Sequence, residues 1–173
     1  MTAVENTPLN RNYLSPLNFK FSVKKLPHVN FFLQKVNSPS LNINPTSSPN
    51  PFVAIPYSGD HIQFGNLTIA FKVDEQLKNY QEMMNWMYGL AFPNNFKQYA
   101  DLEAKNKTNE GVISDVSIIA TDSAKNPRFE FVFADAFPTY MSDLNFDTTA
   151  TDVDYLTATA TFKYTYFSLN RAL

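Results

Sequence analysis

The chain has 173 residues and a formal net charge of −2, enough length for one domain with a real core and none of the basic excess of a dedicated nucleic-acid binder. It contains no cysteine, which excludes disulfides, thiol nucleophiles and thiolate metal sites. Charged residues make up 17%, against roughly 25% in ordinary soluble domains, while 16 Phe and 9 Tyr give a β-leaning composition with much neutral surface.

Residues 1–16 are polar, include Pro8 and Pro16, and read as a flexible N-terminal arm; residues 17–173 read as a single β domain. Met1 to Arg11 holds no apolar signal core, and no run approaches membrane-spanning length, so neither a cleaved export signal nor membrane insertion is expected. Phe19, Phe21 and Val23 alternate with Lys20, Ser22 and Lys24 as a first strand. Val29 to Val36 reads as a second strand, antiparallel to the first across the short Leu26-Pro27-His28 link. Residues 37–56 carry Pro39, Pro45, Pro49, Pro51 and Pro56 among many Ser and Asn, which excludes a helix and disfavours a central strand. Within this long Pro-rich loop Leu41, Ile43, Phe52, Val53 and Ile55 are too apolar for a merely solvated linker. These five residues are the candidate assembly interface, in an arm that docks on an adjacent subunit.

A tight turn at Gly65-Asn66 leads into the clearest passage of the chain. Leu67, Ile69, Phe71 and Val73 alternate with more polar neighbours as a half-buried strand. From Asp74 the period changes: Leu77, Tyr80, Met84, Met87 and Tyr88 recur at helical spacing and form the expected buried face of one principal helix, residues 74–88. Asp74 is placed to cap it, and Gly89 and Pro93 to stop it. Residues 94–109 have weak helical spacing through Phe96, Tyr99 and Leu102, followed by an exposed loop. Residues 112–121 and Phe129, Phe131 and Phe133 form a hairpin, ended by Ala136-Phe137-Pro138. Leu144-Asn145-Phe146 reads as a short strand. Leu156 to Tyr166 reads as a long last strand whose threonine face looks toward solvent or a cavity. The fold class is mainly β with one principal α-helix: a two-sheet β-sandwich or barrel flanked by that helix.

The search for chemistry is negative. His28 and His61 lack any ligand spacing, and the four glycines are too scattered for a phosphate-cradling loop. No GxSxG occurs. Asp143, Asp147, Asp152 and Asp154 lack the order of a calcium loop and read as a solvated bend. No catalytic, cofactor-binding or metal-binding residue is assigned, and an enzyme is the least favoured class. A structural or binding role remains.

Three stretches carry a family resemblance. They are Lys35-Val36-Asn37-Ser38-Pro39; Tyr57-Ser58-Gly59-Asp60 through Leu67-Thr68-Ile69 to the helix with Asn85-Trp86; and Ala136-Phe137-Pro138-Thr139-Tyr140, Leu144-Asn145-Phe146-Asp147 and Ala160 to Tyr166. In this order, over nearly the whole chain, they resemble the tail tube proteins of contractile-tailed bacteriophages, which are similar in fold to the type VI secretion tube protein. Residues 94–109 fall outside the pattern. The resemblance implies a structural virion protein that self-assembles into stacked hexameric rings. These form the inner tail tube, with DNA as passing cargo in the lumen. It further implies tail sheath and baseplate proteins as partners, no cofactor, assembly in the host cytoplasm and a final place in the virion tail. A lumen lined by neutral polar and acidic side chains, not Lys and Arg, is expected from the acidic balance and the threonine face. The alternatives are a baseplate or tube-initiating protein of the same fold and, from another class, a monomeric β-sandwich ligand- or receptor-binding module.

Overall fold

The computed structural model describes residues 13–91, 96–108, 110–149 and 154–171. The start of the expected N-terminal arm, Pro93 and Asp152 lie outside the described residues. In chain order the elements are β1 (Phe19–Val23), α1 (Pro27–Phe32), β2 (Leu33–Asn37), β3 (Leu41–Ile43), β4 (Thr46–Ser48), β5 (Ile55–Tyr57), β6 (Ile62–Phe64), β7 (Leu67–Lys72), α2 (Lys78–Ala91), α3 (Phe96–Ala104), β8 (Ser114–Thr121), β9 (Pro127–Met141), β10 (Thr157–Lys163) and β11 (Tyr166–Arg171). Seven strands form one antiparallel sheet in the order β1-β8-β9-β10-β7-β2, with β11 also on β9. The chain is mainly β with one principal helix, as its pattern indicated. The two expected sheets are halves sharing β9, and no barrel closes, because β1 and β2 end the sheet on opposite sides.

β9 crosses from one half to the other by bulging. Ser114 faces Ala136 while Val116 faces Phe133, so one residue of β8 opposes two of β9. Asp135, at the bulge, has φ 58°, a left-handed conformation that Asp adopts more readily than most residues, and its amide donates to Asp115 Oδ1 at 3.4 Å. Pro138 does not end the strand as expected. It faces Phe162 beside a second register shift, where the ladder is already irregular and a missing N–H costs little.

The stretch expected as a second strand divides. Pro27 to Phe32 is a helical turn-and-a-half with Pro27 at its first position, where a missing N–H is tolerated. Val29 is its buried residue. Asn30 fixes the turn against β1: its Oδ1 accepts from the Val23 amide at 3.0 Å and its Nδ2 donates to the Val23 carbonyl at 2.8 Å. Only Leu33–Asn37 is a strand, and it pairs with β7 while β1 pairs with β8, so the first two strands are not partners.

α2 begins at Lys78 rather than Asp74, because Leu77 takes φ 58° and breaks the helical path. The fully buried Asn79 organises this start. Its Oδ1 accepts from the Asp74 and Tyr80 amides at 3.2 and 2.8 Å, and its Nδ2 donates to the Lys72 carbonyl at 2.7 Å. The buried face is Asn79, Met83, Trp86 and Gly89, displaced by one residue from the expected stripe. Tyr80, Met84 and Met87 are half-buried, and Leu77 and Tyr88 are exposed. Gly89 is not a stop: a Cβ there would lie 2.5 Å from Leu102 Cδ1, so glycine lets α3 approach α2. α3 itself buries no residue.

The β8–β9 hairpin and the helix after residue 94 form as expected. Leu144-Asn145-Phe146 is not a strand, and the long last strand breaks at Tyr164-Thr165 into β10 and β11. The core gathers Phe21, Val23, Val116, Ile118 and Phe133 from one half-sheet and Leu67, Ile69, Phe71 and Phe162 from the other. Leu26, just before α1, joins them with Val29 of α1 and Met83 and Trp86 of α2.

Candidate assembly surfaces

The Pro-rich loop is a two-stranded ribbon standing away from the main sheet. β3 pairs with β6, placing Leu41 opposite Phe64 and Ile43 opposite Ile62 on one face. β4 pairs with β5, placing Thr46 opposite Tyr57 and Ser48 opposite Ile55. Between these ladders the chains close up at Gly59, where any Cβ would collide with the Asn44 carbonyl. An isolated two-stranded ribbon is marginal in water, so its foundation matters. That foundation is an aromatic cluster: Phe64 packs on Tyr164 and Phe167 at 6.0 and 5.6 Å, and both pack on Phe133 at 5.0 and 5.4 Å. The Tyr164 hydroxyl donates to the Gly65 carbonyl at 2.9 Å, and burial pushes its pKa up.

All five candidate interface residues lie on this ribbon or its tip, and none folds back onto its own core. Phe52 is 96% exposed, Val53 63%, Leu41 60%, and Ile43 and Ile55 are also in solvent. Ile62, opposite Ile43, is exposed with them; the sequence reading missed it, although its alternation with Phe64 was the available signal. From Val36 to Phe71 there is no Lys, Arg or Glu, and Asp60 is the one acid.

A second surface is the outer face of β2, β7 and β10. Ala158, Ala160 and Phe162 point into the core, and Thr157, Thr159 and Thr161 point out opposite Lys72, Ala70 and Thr68. Lys35 and Lys163 share this face. Neutral side chains dominate it, but its charges are lysines rather than the carboxylates expected of a channel wall.

Among the described residues nothing in the side-chain chemistry resembles a catalytic centre. His28 Nδ1 pairs with Glu82 across α1 and α2, and His61 Nδ1 pairs with the neighbouring Asp60 in solvent. Among the described residues no group of three or more His, Asp or Glu could hold a metal, and no helix is long and apolar enough to cross a membrane. A groove of about 370 Å³ between α2 and α3 is lined by Asn85, Tyr88, Gly89, Gln98, Asp101, Leu102 and Lys105.

Lys25 is the most perturbed cation. Burial, and then the Lys105 charge, lower its pKa from 10.5 to about 8, against the opposing pull of Glu110. Its Nζ donates to the Gly111 carbonyl and lies 4.7 Å over the Trp86 ring. Between pH 8 and 10.5 the unfolded chain binds a proton here that the native chain does not, so this group's stabilising contribution rises with pH and is lost as pH falls through about 8. Wild type should therefore gain melting temperature relative to Lys25→Met between pH 7 and pH 10. An unchanged difference between the two proteins would contradict the burial of the charge.

No protein-family model and no curated protein sequence matches the chain. Solved structures do. The anti-feeding prophage tube-terminating cap matches at TM-score 0.68 and 16% identity, over 99% of this chain and all of that one. The sheath/tube terminator of an extracellular contractile injection system (PVC) matches at 0.64 and 17%, over 93% and 99%. Hcp1 from Flavobacterium johnsoniae matches at 0.52 and 16%, over 92% and 97%. The chain thus shares its fold, over essentially its whole length, with this tube-terminating cap and this sheath/tube terminator.

Proposed function

We propose that this protein is a structural tube subunit that assembles with copies of itself into rings, hexameric by analogy, which stack into the inner tube of a contractile phage-like tail. The observation that carries this reading is the ribbon: an apolar, nearly uncharged arm on a fold shared with tube components. Water is a poor environment for that arm, since each fully buried side chain of this kind is worth roughly 1.5–3 kcal/mol. Contact with a neighbouring subunit removes it from solvent. Within a ring, the free edges of β1 and β2 offer backbone groups that a neighbour's edge can pair, and the threonine-lysine face of β2, β7 and β10 is a candidate channel wall. Sheath and baseplate proteins are the partners this role requires. DNA is the cargo that the phage analogy suggests, and the virion tail is the corresponding location.

A second reading is favoured by a specific observation. The matching cap and terminator superpose with higher TM-scores than Hcp1 does. A subunit that ends a tube forms one ring and does not propagate. Negative-stain electron microscopy of the purified protein separates the readings. Multi-ring tubes support a tube subunit, and single rings support a terminal or initiating ring. Dispersed particles at all concentrations overturn both in favour of a monomeric binding module.

A further inference from the structure

Between α2 and β8 the chain makes a detour that adds nothing to the core. α3 buries no residue, and Lys107 and Thr108 of the turn after it, Asn106–Thr108, are exposed. Elements with little buried apolar surface and solvent-exposed backbone hydrogen bonds open at a lower free energy than the core. The detour is moored at Leu102, which lies against Gly89 of α2, and again where it returns to the sheet. There the Lys25 ammonium, on the link between β1 and α1, donates to the Gly111 carbonyl, and the Trp86 indole donates to the Val112 carbonyl at 3.1 Å. Lys25 also stands 4.7 Å over the Trp86 ring, so the two bonds form one clasp. The charges that act on Lys25 ride on the detour: Lys105, just after α3, repels it, and Glu110 attracts it. Trp86 is what α2 presents to it. Glu82 of α2 is engaged with His28 of α1, and the adjoining Lys24 is exposed.

We propose that α3 and the turn after it open from the body as one unit, released and closed again at the Lys25–Trp86 clasp, and that the proton on Lys25 sets how often this happens. In the closed state burial, and then the Lys105 charge, bring the Lys25 pKa from 10.5 down to about 8. Opening returns the ammonium to water and to its ordinary affinity for a proton. Between those two values the open state therefore binds a proton that the closed state does not. Closure strengthens as pH rises through about 8 and is at its weakest, without further change, below about pH 7. The unit is a displaceable cover over the Gly89 end of α2, separate from the ribbon and from the sheet edges.

Trp86 is the single tryptophan of the chain, so its indole N–H reports on the clasp without overlap. The test is hydrogen exchange of this indole and of the α3 amides in the full chain, each referred to its rate in an unstructured peptide at the same pH. Opening should fall about tenfold between pH 7 and pH 9. The amides of β7 and β8, which belong to the core, should be far more protected throughout. Lys25→Met should remove the pH dependence from the indole and from α3 alike. Lys105→Gln, which takes away the repulsion, should move the change to higher pH. An indole and an α3 as protected as β7 and β8 would mean that no separate unit exists. Exchange that does not slow with pH in wild type, or slows equally in Lys25→Met, would overturn the role of the proton.

Discussion

Trp86→Ala should destabilise the fold by about 3–5 kcal/mol, the usual range for deleting a large buried aromatic. Trp86 is 1% exposed and touches three parts of the structure. Its ring packs on Phe162 of β10 at 6.1 Å, and its Nε1 donates to the Val112 carbonyl at 3.1 Å. Its face also supports the Lys25 ammonium. Alanine leaves a cavity, removes the hydrogen bond to Val112 and strips a partly buried cation of its ring. For a domain of this size the loss corresponds to a melting temperature lower by roughly 6–20 °C. Met84→Ala, on the half-buried side of α2, should cost clearly less. Thermal unfolding of the two variants side by side checks the assignment; equal shifts would mean that Trp86 is not the anchor of the helix.

Leu41→Ser, Phe52→Ser and Val53→Ser together should do the reverse, leaving the fold alone and abolishing stacking. These side chains are exposed and touch no core residue, and surface changes of that kind usually stay within about 0.5 kcal/mol each. The variant should melt close to wild type, and electron microscopy should show single rings or dispersed subunits. Full-length tubes from the triple variant would refute the arm as an assembly element. A collapse of the melting temperature would mean that the ribbon contributes to its own subunit's stability instead.

What was legible in the sequence followed from period and punctuation. Strand alternation in Leu67–Phe71 and Ala158–Phe162 named the core faces correctly, whereas of Phe129, Phe131 and Phe133 only Phe133 is buried and Phe129 is exposed. The errors have physical causes. On α2 two stripes, Leu77-Tyr80-Met84-Met87 and Asn79-Met83-Trp86-Gly89, both have helical spacing; the second is buried because Asn79 satisfies its polar atoms on the β7–α2 connection, which apolar counting cannot foresee. In VNFFLQKV the helix is decided by Pro27 and by Asn30 gripping β1, neither of which alters the apolar pattern. The ribbon was hidden because its strands are three residues long and lie among prolines; only long-range pairing makes them strands. Its exposed apolar residues were nevertheless visible as a misfit between composition and position.

The arm's near-absence of charge decides which conditions its contacts respond to. Between Lys35 and Lys72 there is almost nothing for dissolved ions to screen, so added sodium chloride has little hold on a joint made there. Such a joint draws its strength from apolar hydration, which weakens on cooling and is reinforced by excluded salts such as sulfate. An assembly held by this surface loosens in the cold and in urea, tolerates wide changes in ionic strength, and tightens on warming to physiological temperature.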